Sequence, residues 1–169
     1  MARFTATVEV AAPALPVWQA LVDWPAHGRW VPLTRVTVLT PSGSGVGARF
    51  VGRTGVGPLA FDDPMLVTEW VPPAGTEAGH CRVVKQGALV RGAAWFEVVP
   101  LGAARCRVDW TEDVEVTPAA LTRPLRRLLE PAGRRAFTGT LRRMAAEVEA
   151  GSAPDHTHDH GDDHGDGDG

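Results

Sequence analysis

The 169 residues are 44% hydrophobic and carry 17 basic and 20 acidic side chains for a formal charge of −3, enough apolar content for one domain with a proper core. There is no run of about 18 apolar residues, and Met1 to Val10 alternates instead of forming an apolar block. Neither a membrane span nor a secretory signal is read, and the chain is expected in the cytoplasm. The bases, all arginine except Lys85, precede residue 151, whereas six aspartates follow it. The acidity therefore belongs to a tail, and residues 1–150 form the expected domain.

Arg3 to Val10 places Phe4, Ala6, Val8 and Val10 on one face and Thr5, Thr7 and Glu9 on the other, a half-buried strand ended by Pro13 and Pro16. Val17, Leu21 and Trp24 recur at helical spacing beside Trp18 and Val22, so a short helix is predicted to about Trp24, stopped by Pro25. A second short helix or turn, Ala26 to Trp30, ends before Pro32. From Arg35 the period becomes two for about eighty residues. Val36, Val38 and Thr40 begin a strand, and Pro41 to Gly47 is a glycine-rich turn. Ala48 to Thr54 returns with Phe50 and Gly52 on one face, and Gly55 to Pro58 turns toward a strand at Met65 to Trp70, whose inward face is not assignable. Cys81 to Gln86 and Leu89 to Val99 form a hairpin about Gly87-Ala88. Cys81 and Cys106 lie in separate strands with no histidines at ligand spacing, which reads as two buried thiols.

Arg105 to Val116 alternates most cleanly, with Cys106, Val108, Trp110, Val114 and Val116 sharing one face. Glu112 breaks the pattern, because its parity puts a carboxyl among the apolar set, where it needs a partner, a raised pKa or water. Thr117 and Pro118 suit a helix start, and Leu121, Leu125, Leu128 and Leu129 sketch a short leading helix interrupted by Pro124. Pro131 to Ala150 then reads as one long amphipathic helix. Phe137, Leu141, Met144 and Val148 form its buried stripe with Ala145 beside them, Arg135, Arg142 and Glu149 face water, and Gly151 suits the stop.

This order is an α+β arrangement: a strand, two short helices, six further antiparallel strands and a long C-terminal helix closing a curved sheet of about seven strands. With Val17-Trp18-Gln19-Ala20-Leu21-Val22-Asp23-Trp24, Trp30-Val31-Pro32, Gly47-Ala48-Arg49-Phe50, Val67-Thr68-Glu69-Trp70-Val71-Pro72-Pro73 and Trp110-Thr111-Glu112-Asp113 in these places, residues 3–150 resemble the START-like, helix-grip superfamily (SRPBCC). Within it the chain is similar to the polyketide cyclase/dehydrase and lipid-transport-like proteins. The resemblance implies a hydrophobic pocket between sheet and last helix, no universal catalytic residue and no required cofactor. The cysteine and histidine pairs of members with a Rieske iron centre have no match here.

The expected activity is binding of a small hydrophobic or aromatic molecule in that pocket, with Trp18, Trp30, Phe50, Trp110, Phe137, Leu141 and Met144 as its contacts. The alternative is a polyketide aromatase or cyclase with Glu112 as acid–base group; against it stands a Glu112 that simply bonds a neighbouring strand or an arginine such as Arg134. His27, between the two N-terminal helical pieces, reads as a solvated loop histidine, and His80 as exposed. A third reading makes the tail a metal buffer: His156, His158, His160 and His164 alternate with carboxylates that suit zinc, nickel or copper, without fixed geometry. Gly43 to Ala48 satisfies a dinucleotide pattern, but a strand follows where a helix N-terminus is required. The arginines of the C-terminal helices, Arg123 to Arg143, read as a solvated face and not as a nucleic-acid surface.

Overall fold

The computed structural model describes residues 2–117 and 126–152. Seven antiparallel strands form one sheet: β1 (Ala2–Val10), β2 (Thr34–Val38), β3 (Arg49–Thr54), β4 (Phe61–Val71), β5 (Gly79–Gln86), β6 (Val90–Gly102) and β7 (Arg105–Val116), in the spatial order β1-β7-β6-β5-β4-β3-β2. Two short helices, α1 (Ala14–Val22) and α2 (His27–Trp30), link the two edge strands β1 and β2, and the meander from β2 to β7 returns beside β1. The long helix α3 (Arg126–Ser152) packs chiefly on β1 and touches both short helices. This is the helix-grip arrangement expected from the order of elements.

The alternation in β1 and β7 translates into burial: Ala6, Val8, Val10, Cys106 and Val108 are buried, while Arg3, Thr5, Thr7 and Glu9 are exposed. From α3 come Leu141, Met144 and Ala145, with Phe137 and Val148 packed on the edge of the same cluster. Each large side chain so buried contributes roughly 1.5–3 kcal/mol before entropy. Gly133 lets the helix approach the sheet, since a Cβ there would lie 2.7 Å from Cε1 of Phe4. Both cysteines are buried and free, and burial pushes the thiol of Cys81 up to about 12 and that of Cys106 up to about 11.

Several boundaries differ from the sequence reading. The long helix starts at Arg126, so Leu128 and Leu129 belong to it, Pro131 sits inside it instead of at its first position, and Gly151 does not stop it. Amphipathic packing outweighs the N–H that Pro131 withholds from the ladder. Pro118 to Leu125 and the four tail histidines lie outside the described residues. α1 ends at Val22, and Trp24 falls in a separate turn of 3-10 helix. β4 starts at Phe61, ahead of the expected Met65, and its pairing with β5 shifts register between Val67 and Glu69. That bulge reverses the facing, with Asp63 and Val67 buried ahead of it and Trp70 packed on the core after it.

Candidate functional site

Between the concave sheet face and α3 lies a small hollow walled by Leu21, Trp30, Trp110, Phe137, Leu141 and Met144, with His27, Val31 and Thr140 completing it. Its free volume is about 30 Å³, room for about one or two water molecules. The walls form one aromatic network. Trp110 stacks on Phe96 at 5.2 Å and meets Phe137 at 6.0 Å, and Phe137 meets Phe4 at 5.3 Å. The His27 ring is surrounded by Trp30 at 5.4 Å, Trp24 at 5.6 Å and Trp110 at 5.9 Å.

His27 is not the solvated loop residue expected from sequence. Enclosure by these rings pushes its pKa down, only partly offset by the carbonyl oxygen of Leu21, 2.7 Å from Nε2. A carbonyl only accepts, so Nε2 carries the proton and the neutral tautomer is set.

Three polar contacts hold α2 against α3 beside the hollow. Glu147 accepts from Arg29 at 2.6 Å and from the indole N–H of Trp30 at 2.7 Å, and the Arg143 guanidinium donates to the Trp30 carbonyl at 2.8 Å. The hydrogen bond from Arg29, reinforced by that from Trp30, holds the Glu147 carboxyl below its ordinary value.

A second, ionic cluster lies on the same sheet face. Glu112 is 3% exposed, in the inward position its parity assigns. One carboxylate oxygen accepts from the indole N–H of Trp110 at 3.0 Å, and the other lies 3.7 Å from Nζ of Lys85. Lys85 in turn donates to Asp63 at 2.8 Å. The three span β4, β5 and β7, and the bridge over β6 is possible because that strand presents only Gly92 and Ala94 between them. Burial pushes the Glu112 pKa up, against the pull of Lys85. Burial alone would lower Lys85, but the carboxylates of Glu112 and Asp63 outweigh it and leave its pKa raised. Two acids thus share one cation. The Lys85 and Asp63 side chains are 11% and 12% exposed, so the cluster is not sealed at that end, and Oδ1 of Asp63 is buried without a hydrogen-bond partner among the described residues.

Of the contact residues expected from sequence, Trp30, Trp110, Phe137, Leu141 and Met144 converge on the hollow. Trp18 and Phe50 do not wall it: Trp18 packs on Trp70 and Phe96, each at 5.4 Å, and Phe50 stacks on Trp24 at 4.2 Å. Their large apolar surfaces are used up as core between α1, the turn after it and the sheet. Arg134, suggested as the partner of Glu112, is exposed on α3, and Lys85 takes that role. His80 is partly buried between two acids, with Nε2 2.7 Å from Glu69 and Nδ1 3.7 Å from Glu97. Lys85 and Asp63 are the site residues that sequence reasoning missed. Lys85 shares parity with Cys81 and Val83, which would have placed it inward, whereas Asp63 precedes the strand as read. Among the described residues, no group of three or more His, Cys, Asp or Glu is placed to share a metal ion. No helix among them is long and apolar enough to cross a membrane.

No curated protein sequence matches the chain. Among solved structures, an aromatase/cyclase from Streptomyces sp. R1128 superposes with a TM-score of 0.68 at 21% identity, over 90% of this chain and 96% of that one. A START superfamily protein from Mycobacterium smegmatis superposes with a TM-score of 0.60 at 21% identity, over 89% and 96%. Norcoclaurine synthase from Thalictrum flavum, solved with dopamine and hydroxybenzaldehyde, gives 0.58 at 15% identity over 89% and 88%. These likenesses establish the shared helix-grip fold. A family model described as polyketide cyclase/dehydrase and lipid transport matches residues 1–149, so the chain belongs to that family.

Proposed function

We propose that the protein binds a small, planar hydrophobic or aromatic molecule between its sheet and α3. The observation that carries this reading is the convergence of Trp30, Trp110, Phe137, Leu141 and Met144 on one hollow from three separate elements, an apolar, aromatic lining with few polar groups. The solved relatives with aromatase/cyclase activity or with bound dopamine and hydroxybenzaldehyde support it by analogy. At about 30 Å³ the hollow is too small for an aromatic ring, which enters only if the walls part. Met144 is flexible, Phe137 is only partly buried, and α2 is one turn long and pinned to α3 by three polar contacts. Opening therefore consists of releasing α2 and rotating those two side chains. Native mass spectrometry of the chain purified from its own host tests the reading. A discrete small-molecule mass, lost on denaturation, is expected; a chain that carries none and also fails to take up added naphthalene would overturn it.

A second reading, an aromatase or cyclase, is favoured by one observation: a buried carboxyl with a raised pKa, bound to the Trp110 wall and flanked by a lysine. A carboxyl whose pKa is raised in this way is suited to exchanging a proton with a carbonyl or enolate oxygen. Glu112→Gln separates the two readings. A binder keeps its ligand in this variant, and turnover that does not depend on Glu112 would remove the catalytic assignment.

A further inference from the structure

The walls of the hollow hold few polar valences, and most are spent. The indole N–H of Trp30 is used by Glu147 and that of Trp110 by Glu112. Of His27, Nε2 donates to the Leu21 carbonyl. This leaves Nδ1 as a lone pair with no partner among the described residues, on a ring that lines the hollow beside Trp30 and Trp110. Thr140 is the other polar side chain of the lining, and its hydroxyl adapts to either role. An apolar chamber lined by such an acceptor discriminates in favour of a ligand that brings a donor, because a molecule without one displaces water from that acceptor and leaves it unsatisfied.

We infer that His27 is a specificity-determining residue of the hollow, accepting at Nδ1 a hydrogen bond from a hydroxyl of the bound aromatic molecule. This rests on the ligand-binding reading above and goes beyond it by naming the contact and the functional group. The tautomer is built in: the Leu21 carbonyl keeps the proton on Nε2, and the surrounding Trp24, Trp30 and Trp110 hold the ring in place and disfavour the imidazolium. An alcohol or phenol O–H is therefore preferred over a carbonyl, ether or carboxylate oxygen, none of which has a proton to donate.

Titration of the full chain with 1-naphthol and with naphthalene, followed by fluorescence, tests the assignment. Wild type is expected to bind 1-naphthol about tenfold more tightly, one hydrogen bond to an otherwise unsatisfied acceptor. His27→Phe keeps a ring of similar size and is expected to bind naphthalene at least as well as 1-naphthol. Should that variant fail to fold, the imidazole ¹⁵N spectrum of the wild type decides instead. Nδ1 is expected to resonate as an unprotonated nitrogen before 1-naphthol is added and to shift further toward the hydrogen-bonded position afterwards, with Nε2 unchanged. Equal affinity of wild type for the two probes, or an unmoved Nδ1 with 1-naphthol bound, would overturn the role of His27 while leaving the hollow as a binding site. Failure of both probes to bind would overturn the binding reading itself, and the role of His27 with it.

Discussion

The indole N–H of Trp110 donates to the carboxyl of Glu112 across 3.0 Å, two residues along the same strand. One side chain thus serves both as a wall of the apolar hollow and as the partner of the buried acid. The hydrogen bond favours the ionised carboxyl and opposes the effect of burial. Trp110→Phe keeps an aromatic ring against Phe96 and Phe137 but removes the donor. The Glu112 carboxyl is expected to titrate higher than in wild type, read from its ¹³C shift, with stability at neutral pH lower by about 1–3 kcal/mol. An unchanged Glu112 titration would show that the contact does not govern the acid.

The raised pKa of Glu112 gives stability a pH dependence of definite sign. The native state keeps a proton that the unfolded chain releases once the pH passes the ordinary carboxyl value of 4.5. Stability from this group therefore falls as pH rises from there and levels off above the native pKa. Glu112→Gln does not titrate, so its stability relative to wild type is expected to increase across that window in urea denaturation. Lys85→Met has the opposite consequence. It leaves Asp63 and Glu112 on one face without their cation, and a loss of about 3–5 kcal/mol is expected at neutral pH, reduced in acid.

Glu147 joins α3 to both Arg29 and Trp30 of α2. The ion pair with Arg29 is solvated and contributes little, but Trp30 is buried and its indole N–H would lose its acceptor. Glu147→Ala is expected to cost about 1–2 kcal/mol and, because only the Arg143 contact to the Trp30 carbonyl then holds α2 to α3, to speed uptake of naphthalene in stopped-flow fluorescence. Uptake at the wild-type rate would show that access does not pass beside α2.

Gly92 adopts a φ of +134° on β6, and a methyl group there would run into the carbonyl oxygen of Asp113 on β7. The same residue is the register partner of Lys85 on β5. Gly92→Ala is expected to destabilise by about 2 kcal/mol or more through backbone strain, measured as a lower urea midpoint. A neutral substitution would contradict the geometry of the β6–β7 pairing.

How much of this was legible in the sequence depended on whether a residue's setting is local. Period-two alternation through β7 placed Glu112 inward, and helical spacing brought Phe137, Leu141 and Met144 to one stripe, because both signals come from a single regular element. Asp63 was hidden because it precedes the strand read from Met65, and the bulge near Thr68 leaves no single alternation in β4 from which to extend that strand back. His27 was misread for a different reason. It is enclosed only when Trp24, Trp30 and Trp110 arrive from three separate elements, and nothing in its neighbours in sequence reports the last of these. Proline had the reverse effect on α3, where Pro131 suggested a boundary that the buried face overrides.

The most direct test of the binding site is a naphthalene titration of protein with ¹³C-labelled Leu, Val and Met methyl groups. Shifts concentrated at Leu21, Val31, Leu141 and Met144 around the hollow are expected. Shifts confined to the exposed Leu33, Val56 and Leu59, or no saturable shift at all, would contradict a ligand site between sheet and helix.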